Sequence, residues 1–559
     1  MSRQNGEVNV LRAAGAMGAA TFVSRIMGLA REWVFAYLFG AGNAMDAYIV
    51  AFRIPNLLRD LFAEGAMSAS LVPTFTRVRL EEGDQRAWRV AGLVFRVLIV
   101  IVGCLALLGM FFAPQLVNLY AGAFHQIPGK YELTVRMTRT MFPFFPLVAL
   151  AAAFMGILNA CNVFFLPALA SAFFNVGSIA VGVAFSLLFF KFGNQWGIQP
   201  IEGMAIGVVA GGAVQAFCQL PKLYRMGYRW EPGTAQDPHW RKDPALRRML
   251  GMMIPGTIGL AATQVNVVIN SMLATSQGPG AVSWLGYSFR LMQFPIGLFG
   301  VSMAAATLPT VSRLWVEKRY SKVTETLSQS LRHVFAINLP ASAGLAFLGA
   351  PIIAMIYQYG HFNSEDTLAT ARALAMYAVG LTAYSAVKVL VPACYAMGNT
   401  RVPVISSALT VVVTVVFNLI MIRPFGYWGL ALGTSIGALF NSCWLLLFIR
   451  RMLARQGEVF HLWPIFRAFL AQLVVALLMG AICYATLLGL NHWAPESGFL
   501  EHFGRKSAAL VRIAKMLILV LEGGAVVLLL ARILGLSDTT QAVDIFTEKL
   551  KKKLSRKGR

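Results

Sequence analysis

The chain has 559 residues, 57% hydrophobic and only 13% charged, where a soluble protein carries about 25% charged residues; its mean hydropathy is +0.65. Lysine and arginine outnumber aspartate and glutamate 48 to 24, a net charge of +24. The composition excludes a soluble globular domain, and the charge, which lies in loops beside apolar runs, excludes nucleic acid as a partner.

In chain order, the opening "MSRQNGEVNVLRAAGAMGAATF" lacks a clean apolar core and a cleavage site, so it reads as the start of a first helix rather than a signal peptide. Apolar runs then recur to the far end, among them "VLIVIVGCLALLGMFFA" (97–113), "LTVVVTVVFNLIMI" (409–422) and "AFLAQLVVALLMGAICYATLLGL" (468–490). A span needs ~20 apolar residues, so the runs mark transmembrane helices. Helices also satisfy their own backbone in lipid. The pattern predicts an all-α polytopic membrane protein with about fourteen spans by run length. They are centred near residues 24, 58, 102, 146, 180, 212, 260, 297, 338, 384, 412, 438, 478 and 521. Six cysteines (104, 161, 218, 394, 443 and 483) stand singly in apolar stretches and are expected to be buried thiols. Neither they nor the seven histidines are spaced for a metal, so no metal and no cofactor is expected.

The loops sort into two sets. One is basic: Arg77, Arg79, Arg86 and Arg89; Lys222, Arg225 and Arg229, with Arg241 to Arg248; Arg313, Lys318, Arg319 and Lys322; Arg450, Arg451 and Arg455; and the tail "EKLKKKLSRKGR" (548–559). The alternate set, "FGAGNAM" (39–45), "ATSQGPGAV" (274–282) and "QYGHFNSEDTLA" (358–369), carries no lysine or arginine. Basic loops stay in the cytoplasm, which places both termini there. The tail can also touch anionic membrane lipid, at ~1 kcal/mol per basic residue.

Segments of the two halves match in order. "LVPTFTR" (71–77) pairs with "TLPTVSR" (307–313), and "FLPALAS" (165–171) with "RVPVISS" (401–407), both 236 residues apart. "GMAIG" (203–207) pairs with "GLALG" (429–433), 226 apart. This is a duplicated six-span unit, and the two copies run parallel. Transporters built this way hold substrate between their halves. The expected organisation is a six-helix lobe over 1–230, a second over 240–456, two additional helices over 460–535 and a basic tail over 536–559, the two repeats surrounding a central cavity.

Charges interrupt the early spans: Arg25, Arg31 and Glu32 in the first; Asp46, Arg53, Arg59, Asp60 and Glu64 in the second; Arg290, repeat partner of Arg53, in the eighth; and Lys388 in the tenth. A charge at mid-membrane costs about 2.5–3.5 kcal/mol on insertion scales and normally faces a protein interior or a watery cavity. Pro55 and Pro295 follow Arg53 and Arg290 and are expected to bend or unwind their spans. Cations outnumber anions here, and the arginine fork suits phosphate oxygens. Arg25, Arg31, Arg59, Arg290 and Arg53 are therefore the candidate anion-binding residues. Glu32, Asp46, Glu64 and Lys388 are candidates for gating or charge balance, with ion pairs or snorkelling to the interface as the alternative.

"SRIMGLARE" (24–32), "GAGNAMDAYIVAFRIPNLLRDLFAEGAMSASLVP" (40–73), "RLMQFPIGLFGVSM" (290–303) and "YGHFNSEDT" (359–367) resemble the MurJ (MviN) lipid II flippases of the multidrug/oligosaccharidyl-lipid/polysaccharide exporter superfamily. The resemblance covers nearly the whole chain. It implies a monomeric, multi-pass bacterial inner-membrane protein that is not an enzyme. Such a protein carries lipid II, undecaprenyl-pyrophosphate-linked disaccharide-pentapeptide, to the periplasmic leaflet by alternating access for peptidoglycan synthesis. It implies that Arg25, Arg31, Arg59 and Arg290 are the cavity arginines, that Glu32 is the gate acid and Asp46 a loop-proximal acid. Where relatives often have acids beside Arg290, this chain has Phe289 and Gln293; where some bind sodium through carboxylates, it has Asn266, Asn270, Asn418 and Asn441. Rival readings are a flippase for another lipid-linked oligosaccharide, a multidrug cation antiporter, which needs cavity carboxylates, a wall-synthesis scaffold, and an enzyme using His361, Glu365 and Asp366.

Overall fold

The computed structural model describes residues 2–61, 66–229, 243–494, 496–536 and 538–539. The described residues contain helices and no strand. The chain divides into two compact units, Met1–Ser283 and Trp284–Arg559.

The first unit holds α1 (Ser2–Phe39), α2 (Asn43–Arg59), α3 (Ala66–Glu81), α4 (Asp84–Phe111), α5 (Ala113–Ala121), α6 (Lys130–Met141), α7 (Phe144–Ala160), α8 (Phe165–Trp196), α9 (Glu202–Phe217), α10 (Leu220–Arg225) and α11 (Pro244–Thr275). Gly40, with φ of 62°, ends α1 in the left-handed conformation that glycine tolerates best. Asp243 begins α11: its carboxylate accepts from the amides of Ala245 and Leu246, and Pro244 occupies the first turn, where a missing N–H is harmless. α8 and α9 touch backbone to backbone. A Cβ at Gly207 would meet the Ser178 carbonyl and the Gly182 Cα, so only glycine permits the approach. α11 packs on α3 and α5.

The chain crosses into the second unit within α12 (Ala281–Pro295). A π-helical turn, Ile296–Gly300, leads to α13 (Val301–Val316), followed by α14 (Tyr320–Phe347), α15 (Gly349–Tyr357), α16 (Ser364–Ala396), α17 (Arg401–Phe425), α18 (Tyr427–Ala454), α19 (Leu462–Trp493) and α20 (Glu496–Ile533). α14 and α15 meet at a 76° bend. The core joins Leu327 and Leu331 of α14, Val389 and Leu390 of α16, Leu445 and Ile449 of α18, and Ala476 of α19. α19 packs on α14, and α20 on α19 and α15.

The duplication is written in the helix boundaries. α4 starts at 84 and α14 at 320; they end at 111 and 347; α5 and α15 start at 113 and 349; α8 and α17 start at 165 and 401. Each difference is 236. Backbone irregularities recur too: the π conformation at Asp60–Leu61 after Pro55, and the π turn after Pro295. The expected proline breaks thus take the form of π distortions, which release backbone groups locally; the one after Pro295 runs straight on into α13.

Ten helices among the described residues are long and apolar enough to span a membrane, or eleven with the bent α14–α15 pair, against about fourteen expected by run length. α1 and α2 stand outside that set, and they carry Arg25, Arg31, Glu32, Arg53 and Arg59. All six cysteines are free, but only Cys394 and Cys483 are buried, while Cys104 and Cys443 are exposed. The expectation of buried thiols is corrected for those two: a residue on an apolar outer face is shielded by lipid, not by protein.

Candidate functional site

α1 places Arg25 and Arg31 six residues apart, on different faces. Arg25 is exposed, whereas Arg31 is 7% exposed. The Arg31 Nη2 donates to Glu32 Oε1 at 3.4 Å, and its guanidinium carbon lies 5.3 Å from the centre of the Phe174 ring on α8. Its Nε is buried without a hydrogen-bond partner among the described residues. One long ion pair and one ring contact leave most of the five guanidinium donors unused.

α2 carries Asp46, Arg53 and Asp60 at seven-residue spacing, so they share one helix face. Asp60 accepts from Arg59 Nε at 3.1 Å and Nη2 at 2.7 Å, and from Asn56 at 3.5 Å and Gln264 of α11 at 3.4 Å. The Arg59–Asp60 side chains are 24% and 27% exposed, so the pair is partly open to solvent.

Asp46 is fully buried. Lys130, at the head of α6, donates to it at 2.9 Å; the Gly280 and Ser283 amides donate at 2.7 and 2.9 Å, and the Ser283 hydroxyl at 2.6 Å. Asp46 therefore caps the N-terminus of α12 from another helix, where a carboxylate is favoured by both the free amides and the helix dipole. Lys130 donates also to Asn43 Oδ1 at 3.1 Å and sits 4.1 Å over the Phe124 ring.

Arg53 is half-buried; Arg290, on α12, and Lys388, on α16, are exposed in the second unit. Glu64, Arg241 and the basic tail lie outside the described residues. Thus Arg31, Glu32, Arg59, Asp60, Asp46 and Arg53 fall within one unit along α1 and α2. Sequence reasoning missed Lys130, Ser283 and Tyr120, whose hydroxyl is buried with no hydrogen-bond partner among the described residues. Lys130 is distant from Asp46 in sequence, and its only local signal is a lone lysine opening an apolar span.

The enzyme candidates resolve into helix structure. Asp366 and Asn363 form a reciprocal cap at the start of α16, Asp366 also accepts from Trp284 Nε1 at 3.0 Å, and His361 and Glu365 are exposed. No metal-binding group of His, Cys, Asp or Glu occurs among the described residues. Of the asparagines, Asn270 donates to Asn266 at 3.3 Å and Asn441 accepts from Ser406 at 2.5 Å, while Asn418 is fully buried.

A helical chain with this duplication and with charged helices set among apolar ones is a polytopic membrane protein of the transporter type. Its fold matches an inward-facing multidrug resistance MATE family transporter of the MOP superfamily, with a TM-score of 0.66 at 16% identity, covering 79% of this chain and 99% of that one. The family described as lipid II flippase MurJ matches residues 35–504, and the chain belongs to that family. The Burkholderia cenocepacia lipid II flippase MurJ is 33% identical over 91% of this chain and 94% of its own length. The Vibrio cholerae probable lipid II flippase MurJ is 33% identical over 84% and 87%. A solved lipid II flippase MurJ in an inward closed conformation superposes with a TM-score of 0.71, at 25% identity, over 93% of this chain and 98% of that one.

Proposed function

We propose that this chain flips lipid II from the cytoplasmic to the periplasmic leaflet of the bacterial inner membrane. It works by alternating access, with both termini in the cytoplasm. The observation that carries this reading is the nearly full-length match to relatives named as lipid II flippases. In this reading Arg25, Arg31 and Arg59, with Arg290 of the second unit, hold the pyrophosphate while the polyprenyl tail stays in lipid. Two local features support the arginine assignment: the largely unused guanidinium of Arg31 and the partly solvent-exposed Arg59–Asp60 pair. A phosphate oxygen takes the place of each neighbouring carboxylate, and Glu32 and Asp60 reclaim the arginines after release. Asp46 acts as a latch on the start of α12, in keeping with its buried bonds to Gly280 and Ser283.

The test is to express Arg25→Ala, Arg31→Ala, Arg59→Ala and Arg290→Ala in a host depleted of its own flippase. Lipid II at the outer leaflet is then measured by an impermeant probe. Loss of exposure at normal protein levels is expected for each variant. Normal exposure in all four rejects the arginine assignment.

A further inference from the structure

α19 and α20 follow the duplicated helices in the chain. Their seam joins Met479, Cys483 and Leu487 of α19 to Met516 and Leu519 of α20 in one buried cluster. It is close-packed: a Cβ at Gly523 would meet the sulfurs of Met479 and Cys483 at 3.2 and 3.4 Å. Beside that glycine, in the middle of the apolar stretch Ala509–Ile533, stands Glu522. An acid at such a depth is costly, and it marks a function unless a partner accounts for it.

Only half of this carboxyl is accounted for. The Thr486 hydroxyl of α19 donates to Glu522 Oε1 at 2.7 Å, while Oε2 is buried with no hydrogen-bond partner among the described residues. The other polar groups on the helices around it are engaged elsewhere. On α19 the Cys483 thiol donates to the Leu519 carbonyl at 3.7 Å, and the Tyr484 ring packs on Phe347. On α20, Lys515 is seven residues away, about 10.5 Å of helix rise, and donates to Asn491 at 2.7 Å. Arg512, farther along, donates to the Ala354 and Gln358 carbonyls at 3.5 and 3.2 Å. α15, which also packs on α20, has Tyr357 as its one titratable residue, set against Tyr287 and Phe362. An ionised carboxylate here would leave a bare buried oxygen with no cation beside it, a far larger cost than a neutral acid short of one hydrogen bond. One hydroxyl is too small an oxygen set to hold a metal cation with it.

We propose that Glu522 is a proton-binding site that holds the α19–α20 seam closed. In the closed seam the group is a neutral carboxylic acid: Oε1 is its carbonyl oxygen, accepting from Thr486, and Oε2 carries the proton. Binding forms one O–H bond with a proton drawn from water and needs no other reactant. Release leaves a carboxylate that the apolar seam cannot solvate, so the two helices part until water reaches it. The site belongs to the second unit, and it does not depend on the reading of the arginines of α1 and α2.

The purified full chain in lipid nanodiscs is compared by infrared spectroscopy with Glu522→Gln and Thr486→Val. At neutral pH the unaltered protein is expected to show the carbonyl stretch of a protonated carboxyl, which Glu522→Gln lacks. In Thr486→Val the band persists and moves to higher frequency, because the carbonyl has lost its donor; this shift carries the assignment even where Glu522→Gln does not fold. Seam opening is read by mass spectrometry of N-ethylmaleimide labelling at Cys483, taken as a ratio to Cys394, the other buried thiol. As pH rises and the proton leaves, the ratio is expected to rise several-fold in the unaltered protein. In Glu522→Gln it is expected to stay flat, since the neutral amide keeps the seam closed at every pH. Absence of the band, or a band that neither substitution changes, overturns the proton site. A ratio that stays flat in the unaltered protein, or rises equally in Glu522→Gln, overturns the closure of the seam.

Discussion

Asp46 joins two functions at one carboxylate: it balances Lys130 and caps α12. Removing one partner of a buried pair leaves the other charge uncompensated, at about 3–5 kcal/mol. Asp46→Ala is therefore expected to lose that order of stability in a thermal or denaturant melt. Asp46→Asn/Lys130→Met, which discharges both partners, is expected to recover part of it. A double variant as unstable as Asp46→Ala would show that the helix cap, not the pair, carries the energy. At Arg31 the shape of the donor matters as much as its charge, because the fork sits over Phe174 and reaches Glu32. Lysine keeps the charge but not the planar fork. Arg31→Lys is expected to fold normally and to lower lipid II exposure in a complementation assay; wild-type exposure would mean that a point charge suffices.

At the scale of elements, the sequence announced helices through run length and the duplication through recurring prolines and glycines. It also marked α1 and α2 as unusual, because guanidiniums interrupt their apolar runs. Lys130 was not legible as the partner of Asp46, since that pairing depends on the register of α6 against α2, which no local pattern encodes. Tyr120 was equally silent: a tyrosine ending a short apolar helix looks like core until its hydroxyl is seen to lack a partner. The division at Ser283 was hidden because it falls inside α12 and not in a loop. Helix contact can be tested with a matched pair of glycines. A Cβ at Gly207 meets backbone of α8, whereas one at Gly489 on α19 meets nothing within 4 Å. Gly207→Ala should lower the melting temperature through about 1–3 kcal/mol of overpacking. Gly489→Ala should leave it unchanged or raise it.

For the whole molecule, the proposed arginine site would feel the membrane potential, at ~2.3 kcal/mol per elementary charge per 100 mV. In the proposed cycle an inside-negative potential draws unliganded arginines back toward the cytoplasm and speeds resetting. Lipid II flipping in proteoliposomes should therefore accelerate under an imposed inside-negative diffusion potential; indifference to the potential would remove this step from the cycle. The two halves also share one place where the second helix of the repeat is fastened to a later one: Asp46 to Lys130 in the first half, Trp284 to Asp366 in the second. The positions correspond, α2 and α12 starting at 43 and 281, and Lys130 and Asp366 lying 236 apart. The two halves thus fasten the same place with different chemistry, an ion pair in one and an indole-to-carboxylate hydrogen bond in the other. Exchanging these helices between the halves would set Asp46 against Asp366, two buried carboxylates with no cation between them, which disfavours both being ionised, so the halves are not interchangeable at this spot.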